Sequence, residues 1–153
     1  MELGPRVVKI LLLGDSGSGK TALMMRYFKS TFDESYTPTA GSNMAARKFN
    51  YKNTHLNVEV LELGGSTGSN LIPQTFHGSL SLSKGTSGII FLYDSTQPKS
   101  FDEVANWIKN AENFLDIQGI VPVLCAGKSD LPRGVVDERA KAFAKENKLV
   151  VKN

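Results

Sequence analysis

Apolar residues fall into short, almost unbroken runs that alternate with stretches of helical spacing. Val7-Val8-Lys9-Ile10-Leu11-Leu12-Leu13 predicts a buried parallel strand, and Thr21 to Phe28 a buried helix. Leu56 to Leu63 alternates with period 2 before Gly64-Gly65. Ala46 to Phe49 is a poorer strand, and Tyr51 to Thr54 is expected to turn between the two as a hairpin. Gly88 to Asp94 and Pro122 to Ala126 predict two further buried strands, the second ending at Gly127-Lys128-Ser129-Asp130. Ser100 with Glu103 has capping-box spacing, followed by Phe101, Val104, Ile108, Ala111 and Leu115 on one helical stripe. Trp107 falls beside that stripe and is expected in the core. Asp137 to Asn147 reads as a helix and Leu149 to Val151 as the start of a strand. The Ser-, Gly- and Thr-rich segment between Gly64 and Gly88 carries scattered Leu71, Ile72, Phe76, Leu80 and Leu82. It is expected to be a mobile loop with a short helix. Alternating strands and helices imply an α/β fold: a doubly wound, mostly parallel sheet with helices on both faces and ligands at the C-terminal strand ends.

Composition narrows this little. The 153 residues fit one domain, 41% apolar and 22% charged. The net charge of +3 comes without a basic run or aromatic-basic platform, so no nucleic-acid partner is expected. The lone cysteine, Cys125, lies in the run Val121 to Ala126 and reads as a core thiol in a reducing compartment. No apolar stretch approaches a membrane span, no signal segment opens the chain, and Val150-Val151-Lys152-Asn153 has no cysteine to prenylate. A cytoplasmic chain without its own membrane anchor is expected.

Residues 14–21, Gly-Asp-Ser-Gly-Ser-Gly-Lys-Thr, fit G-x-x-x-x-G-K-[ST] between a predicted strand and helix, the context that pattern requires. Gly14, Gly17 and Gly19 allow the backbone to approach an anion closely. The N–H groups of Asp15, Ser16, Gly17, Ser18, Gly19, Lys20, Thr21 and Ala22 would then surround a β-phosphate at a helix N-terminus. Lys20 would face the β- and γ-phosphates, and the Thr21 hydroxyl would bind Mg²⁺. The plainer alternative is a glycine-rich βα turn with a surface lysine.

Further motifs follow in order: Tyr-Thr-Pro-Thr-Ala-Gly (36–41), Gly-Gly-Ser (64–66), Gly-Ile-Ile-Phe-Leu-Tyr-Asp-Ser-Thr (88–96) and Gly-Lys-Ser-Asp-Leu (127–131). With the phosphate loop, this order resembles the Ras superfamily of small GTPases, most closely its Rab branch, over nearly the whole chain. The resemblance implies that Thr39 coordinates Mg²⁺ and senses the γ-phosphate, and that Gly65 donates its N–H to that phosphate. Phe32 would pack against the guanine edge, Asp130 would accept from guanine N–H groups, and the Lys128 stem would lie along the base. Plainer readings exist for each: a turn residue at Thr39, a core contact at Phe32, a solvated ion pair at Lys128 and Asp130.

Four departures accompany the resemblance. Glu62 stands where the family has the aspartate of D-x-x-G, keeping the charge one methylene further out. Ser66 replaces the glutamine that orients water, so intrinsic hydrolysis is expected to be slow. Gly127 replaces the asparagine of N-K-x-D, an expected loss of about 1–3 kcal/mol for one buried polar tie. The chain ends within the last strand, without the Ser-Ala-Lys loop and final helix, so the expectation is either that the 153 residues are a fragment or that a partner or second domain covers the sheet face left bare. Residues 1–153 are thus expected to form a single G domain, incomplete at its C-terminus. The implied function is a GTP/GDP- and Mg²⁺-binding switch for vesicle trafficking. Effectors, an exchange factor and a GTPase-activating protein would act through residues 36–41 and 64–82, and association with membranes is expected only if a lipidated tail lies outside the chain. Lys20, Gly65 and Ser66 would form its weak hydrolytic site. The alternatives are a nucleotide-locked pseudo-GTPase serving as an interaction platform, and, less well supported by the motifs, a P-loop phosphotransferase.

Overall fold

The computed structural model describes residues 4, 6–29, 42–63, 85–115 and 118–152. Among these residues six strands form one sheet: β1 (Arg6–Leu13), β2 (Ser42–Tyr51), β3 (Thr54–Leu63), β4 (Gly88–Asp94), β5 (Val121–Gly127) and β6 (Val150–Lys152). The helices among the described residues are α1 (Lys20–Lys29), α2 (Pro98–Asp102), α3 (Val104–Phe114) and α4 (Asp137–Glu146). The strand order is β2-β3-β1-β4-β5-β6, with only β2 antiparallel to its neighbour.

The period-2 pattern explains why helices lie on both faces. Leu11 and Leu13 of β1, Leu61 and Leu63 of β3, and Ile89, Phe91 and Tyr93 of β4 point to one side. There they bury Phe101, Val104, Trp107 and Ala111 of α2 and α3 with Ala140 and Ala144 of α4. The intervening Leu12, Val58, Val60 and Leu92 point to the other side, against Met24 of α1. Cys125 lies on that second face, half-buried rather than fully in the core. Burial pushes its thiol pKa up, as expected for an unreactive thiol. No helix among the described residues is long and apolar enough to cross a membrane.

The weak strand signal at Ala46 to Phe49 becomes a ten-residue strand, because β2 pairs with β3 from Ser42↔Leu63 to Tyr51↔Thr54. Lys52 and Asn53 close the hairpin with φ of 46° and 62°, the two left-handed residues that a tight hairpin with right-handed strand twist requires. The capping box does not form. Pro98 starts a helix earlier, with Gln97 as its N-cap, because its fixed φ suits the first helical position. Ser100 is therefore inside α2, its Oγ 2.8 Å from Gln97 O and 3.0 Å from Asp94 O. Glu103 caps α3 without a side-chain bond to its backbone. The segment from Gly64, read as a loop with a short helix, lies outside the described residues as far as residue 84.

Candidate phosphate and base site

Parallel pairing brings four strand ends together. Leu12 of β1 is level with Glu62 of β3, and Leu13 with Phe91 of β4. Asp94 at the end of β4 is level with Gly127 at the end of β5. The loop from Gly14 to Gly19 springs from this edge and leads into α1. A Cβ on Gly14 would lie 2.2 Å from Leu92 O, so only glycine lets the loop leave β1 against β4. Gly17 and Gly19 have φ of 81° and 103°. Ser18 N–H donates to Asp15 O at 3.1 Å, closing the loop, and Leu23 N–H to Gly19 O at 2.8 Å opens the helix. Ser16 is half-buried in this loop, as is Ala22 in the first turn of α1.

Lys20 lies inside the loop. It is 4% exposed and donates from Nζ to Gly14 O at 2.7 Å and Asp15 O at 2.8 Å. Burial pulls its pKa down to about 8, although the Glu62 and Asp15 carboxylates oppose the shift. A buried ammonium without a bound anion is costly, and an arriving phosphate would offset that cost. Thr21 Oγ1 donates to Glu62 Oε1 at 2.5 Å. Glu62 is 1% exposed, and its Oε2 has no partner among the described residues. One hydroxyl and one carboxylate with an unused oxygen form a hard donor pair. That set fits Mg²⁺, which takes one or two protein oxygens and completes its shell with phosphate and water. It is too sparse for a metal held by protein alone: no group of three His, Cys, Asp or Glu side chains that could hold an ion exists among the described residues.

Asp15 faces away from the loop. Trp107 Nε1–H of α3 donates to Asp15 Oδ1 at 2.9 Å, with both side chains buried. Burial raises the Asp15 pKa despite this bond, which acts to lower it. The core expectation for Trp107 holds, and the indole has in addition a polar contact to the phosphate loop that the apolar stripe did not indicate.

At the neighbouring strand ends Lys128, Asp130 and Gly127 lie on one loop. Lys128 pairs with Asp94 Oδ2 at 2.8 Å, not with Asp130, and Asp130 is exposed. Burial acts to raise the Asp94 pKa, but bonds from Lys128 and Thr96 outweigh it and hold the carboxyl below its ordinary range. Asp94 was visible in the Tyr93-Asp94-Ser95-Thr96 motif, but only its contacts reveal a role. Of the other residues expected at the site, Phe32, Thr39, Gly65 and Ser66 lie outside the described residues.

This phosphate loop on a mostly parallel sheet, with helices on both faces, defines a P-loop α/β protein of small-GTPase architecture. Residues 9–152 match the Ras family. The chain is 31% identical over 144 residues to "Ras-related protein RabC" of Dictyostelium discoideum, covering 92% of this chain and 70% of that protein. It is 30% identical over 143 residues to "Ras-related protein Rab-13" of Rattus norvegicus, covering 92% and 67%. With "GTP-binding protein ypt3" of Schizosaccharomyces pombe it shares 33% over 143 residues, covering 92% and 64%. The chain belongs to the Ras family, as a Rab-like small GTPase.

Proposed function

We propose that the chain binds GDP and GTP with Mg²⁺ and acts as a Rab-like switch in vesicle trafficking, with slow intrinsic hydrolysis. The observation that carries this reading is the buried Lys20 beside the Thr21–Glu62 pair, at the end of the sheet that also holds Gly127–Asp130. In this reading the N–H groups of residues 15–22 and the Lys20 ammonium hold the phosphates. Thr21, Glu62 and Thr39 hold Mg²⁺, which neutralises charge on the phosphate oxygens. Gly65 meets the γ-phosphate, while Phe32, Lys128 and Asp130 hold the base. Ser66 is too short to orient water against the γ-phosphate, so turnover is slow. Effectors, an exchange factor and a GTPase-activating protein engage residues 36–41 and 64–82.

A second reading has specific support from Ser66 and Gly127: the nucleotide stays bound and the surface serves as a fixed interaction platform. The test is the nucleotide content and single-turnover hydrolysis of the purified chain. Bound guanine nucleotide, with partner binding that differs between GDP and GTP forms, is expected. Equal retention of ATP and GTP would reject guanine recognition, and equal partner binding would favour the platform. Asp130→Asn should move preference from guanine towards xanthine, whose 2-oxo group can accept from an amide. An unchanged preference would remove Asp130 from the base site.

A further inference from the structure

The missing asparagine at position 127 is expected to leave the base loop untied, yet the loop is closely held. An ideal Cβ on Gly127 would sit 3.0 Å from Ser18 O, 3.2 Å from Tyr93 O and 3.4 Å from Leu92 Cδ1. The first two are main-chain oxygens, which cannot swing aside as the tip of a side chain can. Ser18 is 1% exposed and directly precedes Gly19-Lys20. The main chain of the base loop therefore lies against the main chain of the phosphate loop, closer than a side chain at 127 readily allows.

The turn after β4 braces this contact from behind. Ser95, 0% exposed, donates its N–H to Gly127 O at 3.0 Å and its Oγ–H to Lys128 O at 3.2 Å. Ser95 O in turn accepts from Gly134 N–H at 2.8 Å and Val135 N–H at 3.1 Å. Asp94 Oδ2 accepts from Lys128 Nζ at 2.8 Å, while its Oδ1 accepts from Thr96 N–H at 2.9 Å and Thr96 Oγ1–H at 2.6 Å. Lys128 has a φ of 57°. A non-glycine residue keeps that left-handed conformation only where its surroundings over-determine it.

We infer that Gly127 joins the base loop to the phosphate loop by direct main-chain contact in place of an asparagine tie, with Asp94 and Ser95 as the positioning residues that hold Lys128 and Asp130 for base recognition. The inference rests on the guanine reading proposed above. It reverses the expectation for a reinstated asparagine: the added side chain separates the two loops instead of tying them.

The test uses the full chain and displacement of a fluorescent GDP analogue by GDP, ADP and magnesium pyrophosphate, the last reporting the phosphate loop alone. Gly127→Ala should weaken GDP binding about five-fold or more, and Gly127→Asn should be no better than Gly127→Ala. Asp94→Asn keeps an oxygen for Thr96 and removes the charge facing Lys128. It should lower both the GDP-to-ADP and the GDP-to-pyrophosphate affinity ratios by about three-fold or more, which a general loss of stability would not do. Tighter GDP binding by Gly127→Asn, or unchanged ratios in Asp94→Asn, would overturn the inference while leaving guanine binding intact. A wild-type chain that holds GDP and ADP alike would instead reject the guanine reading and the inference with it. Should Gly127→Asn fail to fold, Gly127→Ala and Asp94→Asn decide the matter.

Discussion

The bond from Trp107 Nε1 to Asp15 Oδ1 joins α3 to the phosphate loop across 92 residues of sequence, and a double-mutant cycle can isolate its strength. Trp107→Phe removes the donor and part of a side chain that is only 1% exposed. The vacated volume costs roughly 1–2 kcal/mol, a fraction of the 3–5 kcal/mol typical of a full Trp→Ala truncation. A hydrogen bond to a charged group contributes about 1.5–3 kcal/mol, so the single variant should lose about 2.5–5 kcal/mol in total. Asp15→Ala loses the same bond but also removes a carboxylate whose burial is unfavourable, and should cost less. The double variant shares the cavity term with Trp107→Phe, so that term cancels. The remaining coupling should be about 1.5–3 kcal/mol. Urea unfolding of the nucleotide-free protein should be followed by circular dichroism, because Trp107 is the only tryptophan. Coupling below about 0.5 kcal/mol, the usual error of additivity, would refute the assignment. The pH dependence gives a second check. The folded pKa of Asp15 lies above its ordinary value, so the folded state binds the proton more readily than the unfolded state. Its contribution to stability then falls as pH rises through that window. Trp107→Phe lifts the folded pKa further, so the penalty of the variant should be greatest above the window and shrink as Asp15 is protonated.

Three other outcomes follow from the same geometry. Ser18 Oγ is buried without a partner among the described residues, so Ser18→Ala should be neutral or stabilising by up to about 1–2 kcal/mol, read as an unchanged or raised urea midpoint. Glu62→Gln can still accept from Thr21 but loses the charge beside Oε2. Mg²⁺-dependent retention of nucleotide should fall about ten-fold or more, measured as release rates with and without chelator. The Asp94 carboxyl lies below its ordinary range in the folded state, so its contribution is present at neutral pH and is lost as pH falls through that lowered value. Asp94→Asn should remove this part of the acid dependence, seen as a flatter plot of unfolding midpoint against pH.

The fold was legible because local signals and packing agree. Runs such as Leu11-Leu12-Leu13 and Ile89-Ile90-Phe91-Leu92 are apolar at every position, as strands covered on both faces must be. Their alternate residues indeed separate into two cores. Where signals failed, a neighbour supplied what the segment lacked. Met44-Ala45-Ala46-Arg47 has little strand character of its own, and its ladder with the strongly patterned β3 makes it a strand. At Ser100, a correct pattern for a helix start lost to Pro98 two residues earlier, because a fixed φ at N1 favours initiation there.

The site was legible by residue but not by partner. Motifs identify which side chains stand at strand ends, whereas pairing depends on which ends the parallel sheet makes neighbours. Thr21 and Glu62 are 41 residues apart, and Lys128 and Asp94 are 34 apart. Glu62 shows the consequence. From sequence it is a carboxylate that keeps the family's charge but displaces it by one methylene. In the fold that methylene lets Oε1 reach the Thr21 hydroxyl directly at 2.5 Å. An aspartate on the same backbone would stop short by roughly one C–C bond, about 1.5 Å. Glu62→Asp should therefore break the direct bond and leave a buried carboxylate and a hydroxyl with a gap between them. In nucleotide-free protein that loss costs about 1–3 kcal/mol, read as a lower urea midpoint. If the metal is held between these two groups, Mg²⁺ and nucleotide should restore most of the loss. A variant as stable as wild type without ligand would show that the Thr21–Glu62 contact contributes nothing to the empty site.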